Sequence, residues 1–234
     1  MPWRKTPSRR ACHLALRVCG LLGLWGVSGL SGESRYRTTL ACAAERQAVK
    51  EARVQHFDFE QHGITDWHSV QGQWSIEDMP GAPSGQRVLV QRAVEHDFNV
   101  IVVPSAPYTD VDISVRFKPM AGREDASGGI VLRFDTGRYY VVRANALEDN
   151  FRLYAYERGR QQLATAQVSP PALGQWHTLR VLAVGDRIQG WLNGVLLLDH
   201  RDARFHAGQV GLWTKADSVT AFDALTIRAV TGDH

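Results

Sequence analysis

Residues 208–227 read GQVGLWTKADSVTAFDALTI, and this stretch decides the fold. An alternating apolar run at 210–212 ends in a polar loop at 214–218. A second alternating run at 222–227 follows, with Phe222, Ala224 and Thr226 expected on one face. Alternation with a period of two on both sides of a compact loop is typical of half-buried strands. The stretch therefore predicts two strands, each with one face against a core.

The same alternation runs through the chain from residue 56 onward. In VDISVRFK at 111–118, every second residue is apolar, which predicts a strand with one buried face. Asn193-Gly194 between two short apolar runs predicts a two-residue hairpin turn with positive φ at both positions. About a dozen short strands can be traced in this way, without a helical period. We predict an all-β fold, a two-sheet antiparallel jelly-roll sandwich with one concave face.

The first 55 residues have a different composition. Arginine and lysine side chains at 4–10 precede an apolar run at 18–30, which is shorter than the roughly 20 residues that a membrane span needs. This pattern predicts a signal peptide or signal anchor at 1–32, a polar linker at 33–55 and the folded domain at 56–230. Cys42 is an alternative lipid attachment point. The protein is therefore expected to be exported to the periplasm, the cell surface or the medium, with membrane contact only through a signal anchor or lipid anchor.

Charge and cysteine content exclude some functions. The chain has 27 Lys and Arg against 24 Asp and Glu, and many of the basic residues precede residue 54. The folded domain shows no basic stripe, so nucleic acid is not an expected partner. It also contains no cysteine, which excludes a disulfide framework and a cysteine metal site within it.

Several stretches of the domain resemble a known family. Six stretches, taken in their order along the chain, are similar to the concanavalin A-like (laminin G-like) sandwich family that includes the 3-keto-disaccharide hydrolase domain. The resemblance covers about residues 56–229. It implies a jelly roll and, as an expectation, hydrolase or lyase chemistry on keto-sugars. The stretches are FDFE at 57–60, GQWSIED at 72–78, YTDVDISVRFK at 108–118, GGIVLRFD at 128–135, YYVVRANALEDNFRLY at 139–154 and WHTLRV at 176–181.

Polar residues that alternate with apolar ones suggest a sugar-binding face. Arg133, Arg143 and Asn145 are each offset from an apolar set on their own strand, so we expect them on one outer surface. Arginine and asparagine hydrogen-bond readily to hydroxyls, and two arginines suit an acidic or keto-bearing sugar better than a neutral one. The predicted ligand is a carbohydrate or glycoconjugate. The further candidates are Asn150, Lys215 and Trp213, with Trp67 and Trp74 as other rings that could stack on a sugar. The alternative is a solvated face with cross-strand charge pairs, and aromatic residues that fill the core.

The sequence does not contain the paired carboxylates of a standard glycoside hydrolase. The glucanase branch of the resembled superfamily carries its carboxylates as Glu-x-Asp-x-(x)-Glu on one strand, and no such run occurs here. A lyase or hydrolase acting on a 3-keto-glycoside could work with a single base. The candidates for that base are Glu148, His177, Lys215 and Asp217. Two functions stay open: a carbohydrate-binding domain, or a hydrolase or lyase acting on 3-keto-glycosides.

A structural calcium ion is a further expectation that comes from the resemblance. Sandwiches of this superfamily often tie their first and last strands together with an oxygen-ligated ion. Asp58, Glu60 and Asp223 lie on those strands, and calcium prefers carboxylate and carbonyl oxygens. The alternative is that these are surface carboxylates without a metal. No other cofactor is expected to be required.

Overall fold

The structure is a computed structural model that describes residues 53–92 and 97–230, within which fifteen strands and no helix occur. All described residues belong to one unit, Ala48–His234. The predicted targeting segment, Cys42 and most of the predicted linker lie outside the described residues. The strands are β1 Val54–Phe57, β2 His68–Gln71, β3 Trp74–Asp78, β4 Arg87–Gln91, β5 Phe98–Val102, β6 Val111–Ala121, β7 Ser127–Asp135, β8 Arg138–Asn145, β9 Asn150–Tyr156, β10 Arg160–Gln167, β11 His177–Val184, β12 Arg187–Leu192, β13 Val195–Arg201, β14 Gln209–Lys215 and β15 Val219–Ala229.

Two antiparallel sheets form a sandwich, which confirms the predicted fold class. The eight-stranded sheet has the order β13-β12-β11-β6-β15-β4-β3, with β1 also paired to β15. The seven-stranded sheet has the order β10-β9-β8-β7-β14-β5-β2. Within the described residues no helix is long and apolar enough to cross a membrane.

The alternating sequence pattern produces the core between the sheets. On β6 the residues alternate strictly between buried and partly exposed, so that one face of the strand carries only apolar side chains. Val111, Ile113, Val115 and Phe117 are each at most 1% exposed. Burying one such side chain contributes roughly 1.5–3 kcal/mol relative to leaving it in water.

The stretch at 208–227 joins the two sheets. Its first strand, β14, lies inside the seven-stranded sheet, and its second, β15, lies inside the eight-stranded sheet. The expected alternation on β15 is wrong after Phe222, because the pairing with β6 shifts between Asp223 and Thr226. Ala224 has a φ of 50°, and this bulge makes Leu225 and Ile227 the next core residues.

The predicted hairpin at Asn193-Gly194 is confirmed. These residues connect β12 to β13, with φ values of 50° and 82°. Positive φ at both central positions is the signature of a type I′ turn, whose twist matches that of the strands beside it. The asparagine side chain also accepts a hydrogen bond from the Thr178 N–H at 2.9 Å, which ties the turn to β11.

Candidate functional site

The outer face of the seven-stranded sheet carries its own apolar cluster. Residues that alternate with core positions on β5, β7, β8, β9 and β14 meet there, on the side away from the eight-stranded sheet. We call this set the outer cluster; it consists of Val100, Val102, Val131, Phe134, Tyr139, Val141, Tyr154 and Trp213. The seven-stranded sheet is therefore apolar on both faces.

Curvature makes this outer face concave. Phe98 on β5 and Tyr156 on β9 are separated by three strands in the sheet order, yet their ring centroids are 5.6 Å apart. A flat sheet would separate these strands by about 19 Å, at about 4.8 Å for each strand spacing. The sheet must therefore curl so that β5 and β9, which lie toward its opposite edges, approach each other over the outer cluster.

Trp213 lies on this face, but its ring is covered. It stacks on Phe98 with centroids 5.5 Å apart and is 1% exposed. Trp67 packs edge-on against Phe57 in the core between the sheets, and Trp74 packs against Phe222 there. The structure therefore places Trp213 alone of these three candidates on the concave face.

Arg143 lies on β8 beside the outer cluster and is nearly fully buried. Its guanidinium donates to Glu148 Oε2 at 2.7 Å and to the Tyr154 hydroxyl at 3.4 Å. Partial burial opposes ionisation of Glu148, but the hydrogen bonds from Arg143 and Asn150 outweigh it and hold the pKa of that carboxyl below its ordinary value. The two side chains therefore form a fixed ion pair at one end of the concave face.

Asn150 extends this network, Asn145 lies two residues from Arg143 on β8, and each of the two amides leaves a polar atom unpaired among the described residues. Asn145 Oδ1 accepts from the N–H groups of Ala126 and Leu147, whereas its Nδ2 is buried without a hydrogen-bond partner among the described residues. Asn150 Nδ2 donates to Glu148 at 2.9 Å, and its Oδ1 is also buried and unpaired. A buried amide atom without a partner costs roughly 1–3 kcal/mol, so a ligand that supplied the missing bond would bind favourably.

Sequence reasoning missed two arginines on this face. Arg152 on β9 donates to the Tyr154 hydroxyl at 3.2 Å and lies 3.6 Å from Glu148. Arg160, the first residue of β10, places its guanidinium 4.6 Å from the centroid of the Tyr154 ring. The signal for Arg152 was available, because Arg152, Tyr154 and Tyr156 alternate with core residues in FRLYAY. Arg160 carried no such signal, because it reaches this face through the register of β10 against β9, in which it pairs with Tyr156 and is the diagonal neighbour of Tyr154.

Lys215 lies beside the buried carboxylate of Asp125, which was not predicted from the sequence. Its ammonium group lies 3.5 Å from Asp125, which is 1% exposed and accepts from the Ser218 hydroxyl at 3.2 Å. Burial raises the pKa of Asp125, and the hydrogen bond from Ser127 and the charges of Arg143 and Lys215 offset this only in part. A buried carboxyl with a raised pKa between two cations is a candidate acid or base. Asp125 lies in a turn, where alternation makes no prediction.

The other two proposed bases, Asp217 and His177, have structural roles. Asp217 accepts from the N–H groups of Arg123, Glu124 and Asp125, and these bonds lower its pKa although burial opposes them. It thereby fixes the turn that carries Asp125. His177 belongs to the eight-stranded sheet, where its ring contacts the Ala172 carbonyl and the Asn193 side chain. Neither side chain joins the Arg143 network.

The prediction that Arg133 shares an outer surface with Arg143 is wrong. The pairing of β7 with β8 shifts between Leu132 and Asp135, and Arg133 has a φ of 55°. This bulge reverses the alternation, so that Phe134 joins the outer cluster and not the core. The Arg133 guanidinium is buried and donates to three main-chain carbonyls at 2.6–3.0 Å, those of Thr109, Gly185 and Phe205. It therefore connects loops at one end of the sandwich.

The predicted calcium ligands do not converge. Asp223 accepts from Ser84 and from the Ala224 N–H, Glu60 accepts from two main-chain N–H groups at 2.7–2.8 Å, and Asp58 accepts from the Glu60 N–H. Among residues 53–92 and 97–230, no three His, Cys, Asp or Glu side chains are placed to hold a metal ion together. These carboxylates therefore satisfy main-chain donors and do not fit a shared calcium ion.

Known proteins share this architecture and part of this sequence. A levanase from Bacillus subtilis (strain 168) is 25% identical over 169 residues, which is 70% of this chain. The match spans only 23% of the levanase, so this chain corresponds to about a quarter of that relative.

Two solved structures illustrate the shared fold. The carbohydrate-binding module CBM66 from Bacillus subtilis superposes with a TM-score of 0.60 at 23% identity, over 70% of this chain and 95% of that one. The exoplasmic/lumenal domain of VIP36, in its Ca2+/Man3GlcNAc-bound form, superposes with a TM-score of 0.54 at 12% identity, over 72% of this chain and 85% of that one. At these identities the likeness establishes the jelly roll alone.

The family model of the 3-keto-alpha-glucoside-1,2-lyase-like domain matches residues 56–228. This range begins in β1 and ends in β15, and it therefore takes in both sheets and the whole concave face. Because the match covers most of the chain, the protein belongs to the family of 3-keto-alpha-glucoside-1,2-lyase-like domains.

Proposed function

We propose that the protein is an exported carbohydrate-binding domain that holds a sugar at the polar end of its concave face. The observation that carries this proposal is the network of Arg143, Glu148, Asn150, Arg152 and Tyr154. Its charged groups are held in place by one another; Arg143 is buried, and the Glu148 and Arg152 side chains are 36% and 30% exposed. Such a preorganised set loses little conformational entropy when a ligand binds.

Unpaired polar atoms beside this network support a hydroxyl-bearing ligand. Asn145 Nδ2 and Arg152 Nε can each donate a hydrogen bond, and Asn150 Oδ1 can accept one, yet all three are buried without a partner among the described residues. A sugar hydroxyl donates and accepts at the same atom, so it suits a mixed set of this kind. The relatives are consistent with this ligand class, since the B. subtilis levanase and the CBM66 module are both named for carbohydrates.

Binding to a glycan array tests this proposal. The array should include levan, because of the levanase relative, together with keto-bearing, acidic and neutral glycans. Each binder is then titrated by calorimetry against the wild type, Arg143→Ala and Arg228→Ala. Arg228 is the matched control, because it is an exposed arginine of the eight-stranded sheet without an ion pair among the described residues. The proposal is wrong if no glycan binds, or if Arg143→Ala and Arg228→Ala bind equally well.

A second candidate function is a lyase acting on 3-keto-glycosides, and Asp125 is the observation that favours it. In a 3-keto sugar the carbonyl acidifies the C2 proton. A carboxylate base would take that proton, the C2–H electron pair would form the C1–C2 double bond, and the glycosidic C1–O bond would break with loss of the alcohol. Asp125 has the raised pKa and the neighbouring Lys215 charge that such a base requires.

The lyase is tested with a 3-keto-glucoside and mass spectrometric detection of the eliminated product. Turnover by the wild type that is lost in Asp125→Asn, with glycan binding retained, would support it. Turnover that persists in Asp125→Asn would exclude Asp125 as the base. Absence of turnover in the wild type would leave the binding function alone.

A further inference from the structure

Three arginine side chains converge on one tyrosine of the concave face. Arg143 and Arg152 both donate to the Tyr154 hydroxyl, at 3.4 and 3.2 Å. Arg160 lies over the Tyr154 ring, and its guanidinium is also 5.3 Å from the centroid of Phe98. We call Arg143, Arg152 and Arg160 the arginine trio. These residues come from three adjacent strands, β8, β9 and β10, so the sheet itself sets their spacing.

The arginine trio carries more positive charge than its surroundings balance. Glu148 is the one carboxylate within 4 Å of the trio among the described residues, and it contacts Arg143 at 2.7 Å and Arg152 at 3.6 Å. Arg160 has no ion pair and no side-chain hydrogen bond among those residues, and the rings of Tyr154 and Phe98 hold its guanidinium in position. Asp125 and Asp149 offset the charges of Arg143 and Arg152 from a greater distance, so the charge left without a balancing carboxylate is that of Arg160.

A second basic surface lies at the β9–β10 turn. It is a cleft of about 310 Å³ lined by Arg158, Arg160 and Arg204, with Glu157 as the acidic residue of its lining. The lining also includes Ala155, which belongs to the core between the sheets, and its cross-strand partner Gln161. The cleft therefore lies on the opposite face of the β9–β10 hairpin from Tyr154, and the trio is the positive group of the concave face.

We infer that the glycan bound on this face is acidic, with its carboxylate or sulfate group seated on the arginine trio. This inference rests on the proposed carbohydrate-binding function and names the class of its ligand. The guanidinium group presents its donors in a planar fork that matches a carboxylate or sulfate, and its charge is permanent. A neutral sugar would leave Arg160 without an anionic partner.

Matched pairs of glycans test the inference. We would titrate the whole chain with a homogalacturonan oligosaccharide and its fully methyl-esterified form, and with a carrageenan oligosaccharide and its desulfated form. Levan serves as a neutral reference. We expect an acidic member to bind at least tenfold more tightly than its neutralised partner, and the pair that shows this distinguishes a carboxylate from a sulfate ligand.

Substitutions in the trio test whether its arginines cause the preference for an acidic glycan. Arg160→Ala should weaken binding of the acidic glycan by about tenfold, since a hydrogen bond to a charged group is lost. The same change should alter binding of a neutral glycan by less than about twofold. Arg160→Lys keeps the charge without the fork and should fall between the two. Arg228→Ala is the matched control and should bind as the wild type does.

The possible failures are distinguishable. If the protein binds neutral glycans as tightly as their acidic partners, the inference is wrong while the proposed function stands. Equal binding by Arg160→Ala and wild type to the acidic glycan would also overturn the inference. If no glycan of any class binds, the proposed function fails and the inference fails with it.

Discussion

Arg133 and Arg143 have almost the same burial and different surroundings. They lie on the paired strands β7 and β8 and are 1% and 2% exposed. Arg133 donates to three main-chain carbonyls, whereas Arg143 donates mainly to side chains, Glu148 and Tyr154. Burial alone therefore does not separate an arginine that supports the fold from one that is a candidate for binding.

The type of partner does separate them. The fold fixes a main-chain carbonyl, which cannot turn toward a ligand without moving the loop that carries it. A side-chain carboxylate or hydroxyl has further lone pairs that a ligand can use without movement of the chain, and those around Arg143 lie near buried atoms of Asn145 and Asn150 that have no partner among the described residues. Arg133 should therefore matter for stability, and Arg143 for binding.

The largest effect on stability should come from Arg133→Met. Removing the guanidinium leaves three carbonyls at one end of the sandwich without their donor, and the hydrogen bond to the Phe205 carbonyl is fully buried. We expect the free energy of unfolding to fall by about 3 kcal/mol. Urea unfolding followed by tryptophan fluorescence measures this. A loss below about 1 kcal/mol would mean that water replaces the arginine easily, and the structural role would be wrong.

Arg143→Ala should act on affinity. Loss of a charged hydrogen-bond donor should weaken glycan binding by roughly 1.5–3 kcal/mol, measured by calorimetry. Arg133→Met, under conditions where it is folded, should bind as the wild type does. If Arg143→Ala binds every glycan normally and has an unchanged melting temperature, the concave face is a surface without a binding role.

Gly194→Val measures how much a positive φ lowers the free energy of unfolding when a side chain is added without any steric contact. Gly194 has a φ of 82°, and a Cβ there would meet nothing within 4 Å, so the cost comes from the backbone alone. We expect a loss of about 1–2 kcal/mol in the free energy of unfolding. Gly63→Val is the control, since Gly63 has no positive φ and its Cβ would approach only the Thr65 hydroxyl at 3.7 Å. A similar loss in both variants would contradict this explanation.

Alternation predicted the sandwich well and failed where the register shifts. On β6 and β8 the side chains follow the sequence pattern, so that Arg143 lies on the side of β8 that was expected; Arg143 and Asn145 are nevertheless buried, at 2% and 0% exposed, where an outer surface was predicted. At Arg133 and Ala224 one additional residue reverses the pattern. Both residues have positive φ although neither is a glycine, so the sequence carried no local signal for either bulge.

Alternation could not predict contacts that depend on loops or on the register between strands. Asp125 is positioned by a turn that Asp217 holds through three main-chain hydrogen bonds, and this arrangement depends on the contact between two loops. Arg160 comes over Tyr154 through the register of β10 against β9, in which it pairs with Tyr156, and β10 by itself does not reveal that register. The period of a sequence reports which way a side chain points, but not which distant loop it meets.

The smallest expected effect concerns Asp125, close to the charge of Arg143. Burial raises the pKa of Asp125 above its ordinary value of 3.8, so between that value and the raised one the folded state binds the proton more tightly than the unfolded state. The contribution of Asp125 to stability must therefore fall as the pH rises through this interval, and then stay constant. We expect the difference in unfolding free energy between the wild type and Asp125→Asn to follow this course in urea titrations at successive pH values. Asp217→Asn is the matched comparison, because the pKa of Asp217 is lowered and its contribution should be lost as the pH falls. If the Asp125 difference instead rises with pH, the charges of Arg143 and Lys215 outweigh burial, and Asp125 is a fixed anion of the concave face that cannot act as a base with a raised pKa.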